Sequence, residues 1–387
     1  MHWLLTALCL PLAHAYLDWR SFKAHGVNLG GWLEQEPNID TSFWAHYGYN
    51  APDEWTLCQQ LGSQCGPVLE HRYASFITTR DIDQLAQANV GVLRIPTTYA
   101  AWIDLPGSQL YSGNQTAYLK DIAEYAIAKY DMHVIIDVHS LPGGINGLPI
   151  GEKTGNWGWF HNQTALDHSL QAIDKVLHFI QHSSQPQSYT LEPINEPADN
   201  NKQNMSLFGT PAVLSDKGAA WVSKYFHAVL DHVEKVNPRI PVMLQGSFKT
   251  PDYWFPQFPA DANLVFDVHV YHHDHPPTAS STNLPSLLCA DARQKSGNGK
   301  FPVFMGEWAI QTTTKNSLSL RERNLNAGLA AFAHYAQGSC YWTARFTGNE
   351  TVPGQGIQAD YWNFETFIKN GWVHPETGFL CNGTGHS

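Results

Sequence analysis

The chain has 387 residues, 43% hydrophobic and 15% charged, the balance of a globular, well-packed protein of one large domain or two ordinary ones. A net charge of −11 excludes an electrostatic binder of nucleic acid. Aromatic residues are abundant, at 14 Trp, 16 Tyr and 18 Phe, and most of them are expected in a large core.

In chain order, Met1 to Ala15 form a short apolar segment ending Ala13-His14-Ala15. It reads as a secretory signal (1–15) cleaved after Ala15, leaving 16–387 as one domain. Short apolar runs then recur at Val27–Leu29, Val92–Ile95, Val134–Val138, Thr190–Ile194, Val242–Leu244, Leu264–His269, Val303–Gly306 and Cys340–Thr343. Between them lie helical faces: Leu119, Ile122, Ala123, Ala126 and Ile127; Leu170, Ile173, Leu177 and Ile180; Val222, Phe226, Val229, Leu230 and Val233. Strands alternating with helices, and apolar on both faces, predict an α/β protein with a parallel sheet. Eight such units in this length predict a single (β/α)8 TIM barrel, with no second domain.

The sequons at Asn114, Asn162, Asn204, Asn349 and Asn382 agree with export. No apolar run after the signal is long enough to span a membrane, and the polar tail from Phe379 carries no anchor. Removal of the signal leaves an odd number of cysteines, hence one free thiol. Cys58 and Cys65 are close enough for a local bridge. Cys340, in an apolar strand, is the expected free thiol, and Cys289 with Cys381 would then tie the tail to the body.

Barrel chemistry sits at the C-terminal ends of strands. The polar residues Arg94, His139, Asn195, Glu196, His269, Tyr271 and Glu307, together with Trp342, fall where the apolar runs stop. Glu196, in Asn195-Glu196-Pro197, and Glu307, in Gly306-Glu307-Trp308, close two distant runs. Two such carboxyls suit a retaining glycosidase, in which one protonates the leaving oxygen and the other attacks the sugar. Trp32, Trp157, Trp159, Trp254 and Trp342, in glycine-rich or loop settings, are candidates to stack on sugar faces. His272-His273-Asp274-His275 reads as a solvated loop, because adjacent residues on an extended segment point to opposite faces. Neither a metal nor a cofactor is expected. The glycine-rich stretch from Pro142 to Gly151 lacks the ending of a phosphate loop and reads as a flexible rim.

The motifs Gly26-Val-Asn-Leu-Gly-Gly-Trp32, Glu36-Pro37, Leu93-Arg94-Ile95-Pro96, Asp137-Val-His139, Asn195-Glu196-Pro197, His269-Val-Tyr271, Gly306-Glu307-Trp308 and Trp342 occur in that order. Together they resemble the fungal β-glucanase branch of glycoside hydrolase family five, which includes exo-1,3-β-glucanases and β-1,6-glucanases. The resemblance covers nearly all of the chain after the signal. It implies a secreted, retaining β-glucan hydrolase acting as a monomer on β-glucan polysaccharide or oligosaccharide. It implies Glu196 as acid/base and Glu307 as nucleophile. Arg94 and Tyr271 would hold Glu307, Asn195 the sugar 2-OH, and His139 and His269 other hydroxyls. Trp342 would lie under the sugar, and Glu36 completes the substrate-binding set.

One departure bears on specificity. The phenylalanine pair that clamps the sugar in exo-1,3 enzymes falls here near Leu148 and His272 or His273. Trp157, Trp159 and Phe160 are expected to build a different wall, which favours a β-1,6 or mixed linkage. Exo-1,3-β-glucosidase, transglycosylase and non-catalytic glucan-binding wall protein are the rival readings.

Overall fold

The computed structural model describes residues 15–202, 204–374 and Cys381. The expected signal, apart from Ala15, and the Asn382 sequon lie outside the described residues. Strands β1 (Ala24–Asn28), β2 (Val92–Thr97), β3 (His133–Val138), β4 (Tyr189–Glu192), β5 (Val242–Gln245), β6 (Leu264–His272), β7 (Val303–Thr312) and β8 (Gly338–Tyr341) close in chain order into a parallel barrel. Each predicted strand is present within a few residues of its expected bounds.

The outer helices bury the faces that their periodicity marks. Helix Gln115–Tyr130 buries Leu119, Ile122, Ala123, Ala126 and Ile127. Helix Gln163–Gln181 buries Ile173, Leu177 and Ile180, and helix Asp216–Val236 buries Val222, Phe226, Val229 and Val233. Leu170 and Leu230 pack against the same core only half-buried. The side chains of Asn162 and Ser215 cap the second and third of these helices by accepting from Ala165 N and Gly218 N.

Inside the barrel the period of two along each strand stacks side chains in layers. The lowest layer is apolar: Val92, Ile135, Met243, Val265, Phe304 and Cys340 pack around Trp19, which plugs the floor from the N-terminal segment. Two residues further along, the same strands carry Arg94, Asp137, Gln245 and Asp267, all buried. The next step along β3 and β6 brings His139 and His269.

Strand β7 breaks this parity. Asp267 and His269 on β6 pair with Phe304 and Glu307 on β7, so two residues face three. That irregularity returns Glu307 to the inside of the barrel beside His269. Several strand-end placements are corrected here. Arg94 is the third residue of β2, and Glu307 the fifth of β7. His269 and Tyr271 lie within β6, because β6 and β7 continue as a ribbon to the pair His272–Thr312.

Disulfides Cys58–Cys65 and Cys289–Cys381 are formed, and Cys340 is a buried free thiol, as expected from the sequence. The sequon residues Asn114, Asn162, Asn204 and Asn349 are exposed. No helix among the described residues is long and apolar enough to cross a membrane.

Candidate active site

Glu36, His139, Asn195, Glu196, His269, Tyr271, Glu307 and Trp342 line one pocket at the C-terminal mouth of the barrel. Arg94 does not line it: its side chain is fully buried beneath. Its Nη1 donates to Glu307 Oε1 at 2.7 Å and to Asn28 Oδ1 at 3.0 Å. Its Nε and Nη2 grip Glu192 at 2.7 and 3.1 Å, and Nη2 also reaches Asn195 Oδ1 at 3.0 Å. Asp137 Oδ2 lies 3.0 Å from the same nitrogen. With its donors taken by protein acceptors, Arg94 is placed to hold the carboxylates rather than a sugar.

Glu307 takes one hydrogen bond on each oxygen. Arg94 holds Oε1, and Tyr271 Oη donates to Oε2 at 2.8 Å. Burial pushes its carboxyl above the usual range and Glu196 adds to this, while His269 and Arg94 pull it back.

Glu196 sits just past β4 with a positive φ of 46°, a conformation that costs a non-glycine residue about 1–3 kcal/mol. Two contacts fix it there: Glu196 N donates to Gln245 Oε1 at 2.9 Å, and Asn146 Nδ2 donates to Glu196 O at 3.2 Å. Its Oε1 pairs with His269 Nδ1 at 2.7 Å. An oxygen of Glu196 and one of Glu307 lie within 4.8 Å of each other. A water-activating, inverting pair would stand about 6.5–9.5 Å apart.

His269 is fully engaged. Its Nε2 pairs with Asp267 Oδ2 at 2.8 Å, and Nδ1 lies 3.5 Å from Glu307 Oε2 as well as bonding Glu196. Burial would strip its proton, but Glu307, Asp267 and Glu196 outweigh burial and raise its pKa well above the ordinary value. That direction favours the imidazolium, and with both ring nitrogens engaged His269 has no free atom for a sugar hydroxyl. His139 is held between Asp137 Oδ2, 2.5 Å from Nδ1, and Asn195 Nδ2, 3.2 Å from Nε2. Its ring stacks on Trp342 at 5.8 Å and 17°. Glu36 Oε1 is buried with no protein partner, and burial, then Glu307 and Glu196, push this carboxyl well up. A neutral Glu36 both donates to and accepts from hydroxyls.

Three groups bring histidine and carboxylate atoms within 4.8 Å of one another: Glu34, Glu36 and His139; Glu192, Asp267 and His269; Glu196, His269 and Glu307. The histidine nitrogens in all three already carry the partners named above.

Of the five tryptophans singled out for stacking, only Trp342 lines the pocket. Trp32, Trp159 and Trp254 are core, with Trp159 packed edge-on against Trp221 and Tyr225. Trp157 bonds Asn201 Oδ1 at 2.8 Å, away from the pocket. The expected wall of Trp157, Trp159 and Phe160 is thus absent. Phe208, Phe248 and Trp362 take that role, and Leu148 and Ile150 supply the rim. Phe208 and Phe248 meet edge-on at 5.1 Å. The loop read as solvated is so for Asp274 and His275, which are exposed and with His273 also line the pocket, whereas His272 is buried against Asp291 at 2.9 Å. Phe208, Phe248 and Trp362 lie outside any periodic segment, and nothing local marks them. Asp267, Glu192 and Gln245 did carry a signal, a polar residue inside an apolar parallel strand.

A closed parallel barrel that holds two facing carboxyls in an aromatic-lined pocket defines a glycosidase of the TIM-barrel kind. Comparison with known proteins agrees. The family model "Cellulase (glycosyl hydrolase family 5)" matches residues 53–348. The probable glucan 1,3-beta-glucosidase A of Aspergillus niger is 30% identical over 308 residues, covering 76% of this chain and 67% of the relative. The glucan 1,3-beta-glucosidase of Kluyveromyces lactis is 24% identical over 96% of this chain and 88% of its own length. The crystal structure of rutinosidase from Aspergillus niger is 65% identical, covers 93% of this chain and 100% of that one, and superposes with a TM-score of 0.92. The structure of AoRut is 67% identical over 92% of this chain and 98% of that one, with a TM-score of 0.90. The chain belongs to glycoside hydrolase family 5, and it is an enzyme that hydrolyses glycosidic bonds.

Proposed function

We propose that this protein is a secreted, retaining β-glycosidase that cleaves rutinosides, releasing the disaccharide intact. A rutinoside is a β-glucoside whose glucose carries a rhamnose on O6. The observation that carries the reading is the 65% identity to a rutinosidase across 93% of the chain. The site chemistry supports it. Glu307 attacks the anomeric carbon from the pocket floor, with Arg94 and Tyr271 holding its two oxygens. Glu196 protonates the departing oxygen and then takes a proton from the incoming water. One oxygen of Glu196 lying within 4.8 Å of one of Glu307 supports the covalent route over inversion. Trp342, His139, Asn195 and Glu36 cradle the sugar. Phe208 and Phe248, on the loops after β4 and β5, line the same pocket and offer an aromatic surface to the leaving group. Secretion rests on the N-terminal apolar segment and the exposed sequons.

A second reading, a β-glucan hydrolase, is favoured by relatives described as glucan 1,3-beta-glucosidases. A β-1,6 preference would require the same tolerance at O6. Initial rates on an aryl β-rutinoside, an aryl β-glucoside, laminarin and pustulan, with product size and anomer followed by NMR, separate these. The expected outcome is rutinose released first as the β-anomer, with weak activity on both glucans. Glucose from laminarin as the main early product would replace the proposal with the second reading. Glu307→Ala and Glu196→Ala should each lose at least about 1000-fold in kcat on unactivated substrate.

A further inference from the structure

We propose that Asp267 is a positioning residue that, through His269, fixes the orientation and the charged neighbour of the acid/base Glu196. The inference rests on the assignment of Glu196 as acid/base and adds a residue that neither motif nor pocket lining reveals. The chain Asp267–His269–Glu196 is continuous: Asp267 Oδ2 to Nε2 at 2.8 Å, then Nδ1 to Glu196 Oε1 at 2.7 Å. Asp267 is itself pinned, since Gly306 N donates to its Oδ1 at 2.5 Å. A Cβ at Gly306 would overlap that carboxylate, which gives the glycine before Glu307 a physical reason.

The surrounding charges set the direction. Asp267 faces Arg94 from β2 and Glu192 from β4, while His269 faces Glu196 beyond β4 and Glu307 on β7. Burial would raise Asp267, but His269 and then Arg94 overcome it and hold the carboxyl at about 2. Asp267 is therefore an anion above about 2, and it favours the charged form of the imidazole between it and Glu196. With His269 Nδ1 protonated, Oε1 of Glu196 is the acceptor in this contact, which leaves Oε2 to carry the acidic proton. In the glycosylation step the proton moves from Glu196 Oε2 to the glycosidic oxygen as that C–O bond breaks. Asp267 stays a carboxylate and gives up no proton in this step.

Leaving-group dependence tests the idea, because a good leaving group needs little protonation. Asp267→Asn would be compared with wild type by kcat/KM on phenyl β-rutinoside and 2,4-dinitrophenyl β-rutinoside; β-glucosides of the same two phenols serve if unsubstituted glucose is preferred. The expected loss is about 100-fold on the phenyl glycoside and less than about threefold on the dinitrophenyl glycoside. If Asp267→Asn fails to fold, His269→Asn keeps a donor near the Nδ1 position without the charge and should give the same split. Equal losses on both glycosides would overturn the role of Asp267. A wild-type enzyme silent on all four glycosides would instead overturn the functional reading on which it rests.

Discussion

Arg94 and Glu307 show how single residues are tuned by what lies beneath the pocket. The guanidinium meets Glu192, Asp137, Glu307, Asn28 and Asn195 together, which a lysine cannot do with one ammonium. Arg94→Lys should therefore keep the charge but lose the bidentate grip. We expect kcat/KM to fall about 100-fold with KM changed far less, because the lost contact orients the nucleophile. The pH profile carries the sign. Glu307 acts as the carboxylate, and burial already holds its pKa above the ordinary value. A weaker cation raises it further, so the acid limb of kcat/KM should shift to higher pH; a limb in the wild-type position would refute this coupling. At this scale the catalytic pair was legible because each glutamate ends or interrupts an apolar run. The partners of the supporting residues were not, since Glu192 and Asp267 sit within apolar runs, where sequence alone does not say which buried charge meets which.

Among the elements, the strands and the inward faces of the helices were readable because burial imposes periodicity on both. Strand β7 was the exception. From Phe304 to Glu307 is an odd step, so strict alternation would have turned one of them out of the barrel. The extra residue against β6 resolves the parity, and Gly306 at that step accommodates the Asp267 carboxylate. Gly306→Ala should consequently cost about 1–3 kcal/mol by overpacking. It should also misplace Glu307, so that activity falls more than stability does. Melting temperature and kcat/KM measured on the same sample would separate the two; a variant with normal activity and normal melting would show that the close approach is relaxed at no cost. The loops beyond β3, β4 and β5 were the least legible elements. Trp159 was expected at a pocket wall yet packs in the core against Trp221, while Phe208 and Phe248, unmarked in the sequence, form part of the real wall. Loop conformation depends on tertiary contacts that leave no repeat in the chain.

For the whole molecule, the single barrel, both disulfides and the free Cys340 followed from counting runs and cysteines, whereas the choice between glucan and rutinoside did not, because the motif residues serve both. A property that the sequence hid altogether is the string of buried carboxyls behind the pocket. Glu34 is buried with neither oxygen bonded to protein, and burial followed by Glu36 and Glu54 pushes it well up. Burial raises Glu54 from 4.5 to about 8 and Glu152 to about 7. A carboxyl whose folded pKa lies above its unfolded value favours the folded state only while it is protonated. Its contribution is complete below about 4.5 and is lost as pH rises through 7 and 8. Asp267 has the opposite sign: held at about 2, it supports the fold above 3.8 and fails only as pH falls through 2. The two trends leave maximal stability in weak acid, and a tenfold difference in proton affinity between folded and unfolded chains corresponds to about 1.4 kcal/mol. Melting temperature should therefore decline between pH 5 and 8. Glu54→Gln, which keeps an oxygen to accept from Gln35 N, should match wild type at pH 4.5 and melt higher at pH 8. Parallel melting curves for the two proteins across this range would contradict a buried, protonated Glu54.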